Sequence, residues 1–249
     1  MKKFIKILLV FFALFFVNYV HADEETLILL DASASMLEDF QGSPKYITAI
    51  NKTKDISETV PSNKAIGLRI IGISIDKAIF YLSNTDNFCK ATSLLEPINS
   101  NNVKNINEKL DMVFPLGTTP LKYSLEQAIN NDFLLDSYKH IILITDGGES
   151  CEGDPCNYIK TIMRTRSDIK IDIIAIGVSN DIFKELECLS ANTSGRITNV
   201  ETPYDFSQTL GQFLIPSTLP DTTTKFVRAE ENQVKQPGII KYKNYLLEE

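Results

Sequence analysis

Asp31, Ser33 and Ser35 occupy every second position of LILLDASASM, residues 27–36, where an apolar run ends. One carboxylate and two hydroxyls within five residues form a set of hard oxygen donors. Two other segments carry the same chemistry: PLGTTPL, residues 115–121, with Thr119, and ITDGGES, residues 144–150, with Asp146. The combined set holds no nitrogen or sulfur ligand, which points to a hard divalent cation. Magnesium comes first, because it favours octahedral oxygen coordination and retains waters. Neutral hydroxyls inside and carboxylates one water away therefore suit it better than calcium, which wants more direct carboxylates; manganese and calcium are the alternatives.

These segments need a frame that brings them together. Thr26 to Leu30 is a continuous apolar run, and further strand-like runs cover residues 65–75, 78–82, 140–145, 169–176 and 196–200. Between them lie segments of helical period. One opens at Ser43-Pro44, read as an N-cap followed by proline at the first helical position. The others are marked by Val103, Ile106 and Leu110, by Leu121, Leu125, Ala128 and Ile129, and by stretches near 157–166 and 181–189. A last one starts at Thr202-Pro203 and turns Phe206, Leu210, Phe213 and Leu214 inward. Apolar strands alternating with helices predict an α/β fold, a Rossmann-like, doubly wound, mostly parallel six-stranded sheet with helices on both faces. The turn Asp76-Lys77 predicts a hairpin of 65–75 with 78–82, giving one antiparallel strand. In such a sheet ligands bind beyond the carboxyl ends of the strands, where all three polar segments fall.

The pattern resembles the von Willebrand factor type A domains, whose metal-ion-dependent adhesion site is spelled DxSxS, a later threonine, and a later aspartate after a strand. Asp31, Ser33 and Ser35 supply the first element, Thr119 in GTTPL the second and Asp146 in ITDGG the third, over a resemblance spanning roughly residues 24–215. The segment DGGESCEGDPC is similar to exported bacterial members. The resemblance implies that Ser33, Ser35 and Thr119 bind the ion through their hydroxyls and that Asp31 and Asp146 act mostly through water. It further implies a non-enzymatic module in which the ion accepts an acidic side chain, Asp or Glu, from a protein partner.

Composition narrows the setting. Lys2, Lys3 and Lys6, the apolar run 7–17 and the small-residue end at Ala22 read as a secretory signal peptide, residues 1–22, too short an apolar run to span a bilayer. Cleavage near Ala22 leaves a domain at 23–215 and an extension at 216–249, exported to a periplasm or secreted, with no later transmembrane segment. Loss of three lysines and no acid moves the net charge from −7 to −10. That argues against nucleic acid or an anionic membrane as partner.

Cys89, Cys151, Cys156 and Cys188 are an even set, and disulfides are the default in an oxidising compartment. The short loop CEGDPC favours Cys151 with Cys156, leaving Cys89 with Cys188. A zinc site is the competing use, with no histidine near any cysteine. Enzymatic readings lack their parts: position 33 is serine where a haloacid-dehalogenase-type site needs an acid, and His140, the single histidine beyond residue 22, begins a strand. A magnesium-assisted hydrolase would need a base that the sequence does not supply. Glu149, Glu152 and Asp154 read as solvated loop acids, with a second cation site or a specificity rim as the sharper reading. The other non-enzymatic possibility is a structural component that binds through its loops or through 216–249.

Overall fold

The computed structural model describes residues 24–72, 85–134 and 136–215. Its main sheet comprises β1 (Glu24–Asp31), β4 (Ala65–Ile71), β5 (Thr92–Asn99), β6 (Tyr138–Thr145), β7 (Ile169–Ile176) and β8 (Ile197–Val200). The order is β5-β4-β1-β6-β7-β8, parallel throughout except for the antiparallel pair β4–β5. Among the described residues the helices are α1 (Lys45–Ser57), α2 (Val103–Leu110), α3 (Leu121–Asn131), α4 (Pro155–Ile162), α5 (Asn180–Asn192) and α6 (Pro203–Leu214).

Successive side chains of a strand point to opposite faces, so a strand covered on both faces is apolar at every position. Ile28, Leu30, Ile142, Ile144, Ile174 and Ile176 pack with Ala49 and Ile50 of α1, Ile106 and Leu110 of α2, and Phe206, Leu210 and Phe213 of α6. Leu27, Leu29, Ile141, Leu143, Ile171 and Ile173 join Leu125 and Ile129 of α3, Ile159 of α4, and Leu186 and Leu189 of α5 on the other face. The two layers explain the uninterrupted apolar runs read from the sequence, and the doubly wound sheet expected there is the one observed.

Three local expectations are corrected. The antiparallel strand beside β4 is Thr92–Asn99; the expected strand 78–82 and its turn lie outside the described residues. Ser43 is not a helix cap. Gln41 and Gly42 both take left-handed backbone, φ 55° and 86°, the geometry of a two-residue hairpin turn. Ser43–Pro44 (β3) therefore pairs with Asp39–Phe40 (β2), and α1 begins only after Pro44. The cysteines, finally, are bonded Cys89–Cys151 and Cys156–Cys188, each with Cα atoms 5.7 Å apart. The physical reason is the onset of α4 at Pro155, capped by the Asp154 carboxylate on the Asn157 amide at 2.8 Å. Cys156 is thereby carried onto a helix packed beside α5 while Cys151 stays in the loop next to the 3-10 turn Thr85–Lys90. Peptide mapping without reduction is expected to recover 89 with 151 and 156 with 188; a peptide linking 151 to 156 would overturn this pairing.

Toward the amino ends of the strands, opposite the DxSxS loop, lies a buried charged cluster. The fully buried Asp172 carboxylate accepts from Lys170 Nζ at 2.8 Å and from the Arg196 amide at 2.7 Å, and stands 3.0 Å from His140 Nε2. His140 thus has a structural setting at the far edge of the sheet.

Candidate functional site

At the carboxyl end of β1 the chain leaves the sheet through Asp31, which is fully buried. Its Oδ1 accepts the Ser33 amide at 2.8 Å and its Oδ2 the Thr145 hydroxyl at 2.6 Å. Both oxygens therefore help to fix the loop, joining β1 to the end of its neighbour β6. Neighbouring amides secure the loop on its other sides: Ala32 donates to the Ile71 carbonyl at 2.8 Å, Leu116 to Ala32 at 2.8 Å and Ala34 to Gly117 at 3.1 Å. Gly117 has φ 94° and would set a β-carbon 2.6 Å from the Phe88 ring, so glycine is required there.

Ser33 Oγ lies 3.1 Å from Ser35 Oγ, and the Ser35 hydroxyl donates to Asp146 Oδ1 at 2.8 Å. Thr119 is 5% exposed, and its loop is locked to that of Asp146 by reciprocal bonds. The Thr119 amide donates to Ser150 Oγ at 2.6 Å and the Ser150 amide to the Thr119 carbonyl at 3.1 Å. The adjacent Thr118 hydroxyl rests 3.6 Å from Cys151 Sγ. Hydrogen bonds thus link Asp31, Ser33, Ser35 and Asp146 directly or through one neighbour, and Thr119 joins them through its backbone.

Several residues that matter here were not singled out in the sequence. Thr145 bridges β6 to Asp31, and Ser150 holds the Thr119 loop. Lys45, the first residue of α1, places Nζ 2.8 Å from Asp146 Oδ2 and 2.7 Å from Glu38 Oε2. None carries a local signal, since each contact spans a long sequence separation or depends on a turn. Of the loop acids, Glu149 accepts the Lys122 amide at 2.7 Å and the Cys151 amide at 2.8 Å, so it caps the first turn of α3. Asp154 caps α4, and Glu152 is exposed.

Burial pushes the Asp31 carboxyl up to about 6, with the Asp146 charge acting in the same direction and the Thr145 and Ser33 bonds opposing it. Burial works against the Lys45 charge, but its bonds to Asp146 and Glu38 outweigh that and hold the ammonium above its ordinary pKa. Lys45 supplies one positive charge to a cluster that holds two buried carboxylates, Asp31 and Asp146, which leaves the cluster receptive to a cation.

The spacing fits such an ion. Adjacent ligands of an octahedral magnesium, at about 2.0–2.1 Å from the metal, stand about 2.9 Å apart. The Ser33–Ser35 separation of 3.1 Å is compatible with that value, and the 2.8 Å bond from Ser35 brings the Asp146 carboxylate up beside the pair. Among the described residues no group of three or more His, Cys, Asp or Glu is placed to hold a metal, so a site here depends on hydroxyls.

With this geometry in place, comparison with known proteins is decisive for the family. The von Willebrand factor type A domain matches residues 26–212, most of the chain. The chain belongs to this family. The protein YwmD of Bacillus subtilis (strain 168) is 24% identical over 189 residues, covering 75% of this chain and 83% of YwmD. A von Willebrand factor type A protein from Catenulispora acidiphila superposes with a TM-score of 0.61 at 17% identity, over 78% of this chain and 42% of that one. Proximal thread matrix protein 1 of the mussel byssus, solved with a zinc-occupied MIDAS motif, gives 0.57 at 17% identity, over 78% and 47%. This type A domain thus spans less than half the length of those two solved chains, and at such identities they show the shared fold. Its two disulfides fit an oxidising, extracytoplasmic compartment. No helix among the described residues is long and apolar enough to cross a membrane.

Proposed function

We propose that this type A domain is an exported, non-enzymatic binding module whose cluster at the carboxyl edge of the sheet holds magnesium and engages an acidic side chain of a protein partner. The observation that carries the reading is the convergence of the Ser33 and Ser35 hydroxyls, 3.1 Å apart, on the Asp146 carboxylate, with Asp31 buried behind them. Ser33, Ser35 and Thr119 would hold the ion through their hydroxyls. Asp31 and Asp146 would act through water, in keeping with the Asp31 oxygens already committed to Ser33 and Thr145. When bound, magnesium supplies an exchangeable coordination position that a carboxylate can take.

The chain's own residues do the rest. The Thr119–Ser150 bonds and the Cys89–Cys151 bridge fix one wall of the site, which limits the entropy lost when a partner docks. The test is capture from an envelope extract on the immobilised protein, in magnesium and in chelator, with Ser35→Ala in parallel. A partner retained only by the unaltered protein in magnesium supports the reading. Retention indifferent to chelator and to Ser35 moves the contact to the loops or to residues 216–249 and overturns it.

A further inference from the structure

Lys45 pairs with the buried Asp146 carboxylate at the edge of the proposed site and has a second partner beside it. Its side chain is 11% exposed and stands between two carboxylates of opposite character. The Asp146 side chain is fully buried and keeps its other oxygen on the Ser35 hydroxyl, which anchors one side of Lys45. The Glu38 side chain is 67% exposed and follows the 3-10 turn Ala34–Leu37, its backbone tied down by Glu38 N to Ser35 O at 2.9 Å and Lys45 N to Glu38 O at 3.0 Å. The backbone therefore stays in place whatever the Glu38 carboxylate does, and that carboxylate can leave Lys45 for water at little cost. The Lys45 ammonium, largely withdrawn from solvent, would then keep Asp146 and have a donor direction open to another carboxylate.

We infer that Lys45 is a second, built-in cation of the partner-binding site, and that Glu38 is an internal carboxylate which an acidic residue of the partner displaces. The inference rests on the proposed metal-dependent binding and says how that site selects its ligand. One carboxylate, Asp146, spans from the ammonium to the hydroxyl cluster, so Lys45 faces the same small region as the Ser35 hydroxyl. Lys45 draws on the charge of Asp146, which weakens the hold on a divalent ion. It also offers an incoming acid a charge-assisted hydrogen bond. Cation affinity is thereby exchanged for anion affinity, and a neutral side chain of similar size, such as glutamine, gains nothing from Lys45.

The test is titration calorimetry of the full chain with manganese alone, then with a capped hexaglutamate peptide in saturating manganese, using Lys45→Met, Glu38→Ala and Ser35→Ala. Lys45→Met is expected to bind manganese about tenfold tighter and the peptide about tenfold more weakly, while Glu38→Ala binds the peptide about three- to tenfold tighter. Opposite movements of two affinities in one variant cannot come from a damaged fold, and Glu38 is exposed enough for its variant to fold regardless. If both affinities of Lys45→Met fall together or neither moves, or if Glu38→Ala leaves the peptide unchanged or unbound, the inference is overturned while the metal reading stands. If the unaltered protein and Ser35→Ala fail alike to bind manganese, the metal reading itself is overturned and this inference with it.

Discussion

Replacing Asp31 with asparagine is expected to strengthen the cation-free fold and to weaken cation binding about 10–100-fold in the same molecule. The two effects share one cause. A carboxylate buried beside Asp146, with its pKa raised to about 6, carries a penalty on the order of 2–3 kcal/mol near neutral pH. Because the folded value is raised, this stability is present in acid and is lost as pH rises from the ordinary carboxylate range through about 6. An amide removes the charge and keeps the shape. Its oxygen can accept the Ser33 amide as before, and its nitrogen can donate to the Thr145 hydroxyl. That hydroxyl then turns its proton to the Gly147 carbonyl, already 2.8 Å away. Thermal unfolding in chelator at pH 7.5 should show a higher midpoint for Asp31→Asn than for the unaltered protein, and the same added magnesium should raise the latter more. Equal magnesium shifts in both would rule out a part for Asp31 in cation binding.

The second large effect lies at the other end of the sheet. Asp172→Ala is expected to cost about 3–5 kcal/mol, the scale of breaking a buried ion pair. The change leaves Lys170, the Arg196 amide and His140 Nε2 without their shared acceptor. Burial alone would raise the Asp172 carboxyl, but its bonds with His140 and Lys170 hold it well below the usual carboxylate range. Its contribution is therefore complete above about pH 4 and is lost as pH falls through and below the ordinary carboxylate value. Urea unfolding from pH 7 to pH 3 should show the unaltered protein losing stability steeply at the acid end and Asp172→Ala losing less. Parallel curves would mean that the carboxylate contributes nothing to acid sensitivity.

The contrast between these positions shows what a sequence discloses. Strands β1, β6 and β7 were legible because apolar side chains on both faces leave an uninterrupted run. The start of α6 was legible because Thr202, Pro203 and Asp205 are chemically local: the Thr202 hydroxyl accepts the Asp205 amide and the Asp205 carboxylate accepts the Thr202 amide. The DxSxS segment was legible for the same reason. Ser43-Pro44 carried the same local chemistry and misled, because the left-handed pair Gln41-Gly42 had already committed Ser43 to a hairpin. The cysteine pairing and the Lys45–Asp146 contact were hidden for a different reason. Both are set by which elements lie side by side, and a separation of 101 residues leaves no trace in spacing.

The disulfides also decide how the domain would behave under load. They are arranged in series, closing covalent rings between residues 62 and 32 apart that meet at the exposed stretch around Glu152 and Asp154. A chain pulled from its two ends cannot pay out the residues inside those rings, a reserve of roughly 300 Å of extended chain at about 3.4 Å per residue. Thr119 and Asp146 lie inside the first ring, whereas Asp31, Ser33 and Ser35 lie outside it on β1 and the loop that follows. Tension would therefore strip one half of the cluster from the other while the second half stayed knotted in place. A single cut between Cys151 and Cys156 would separate the two rings, and a cut inside either ring would leave the molecule in one piece.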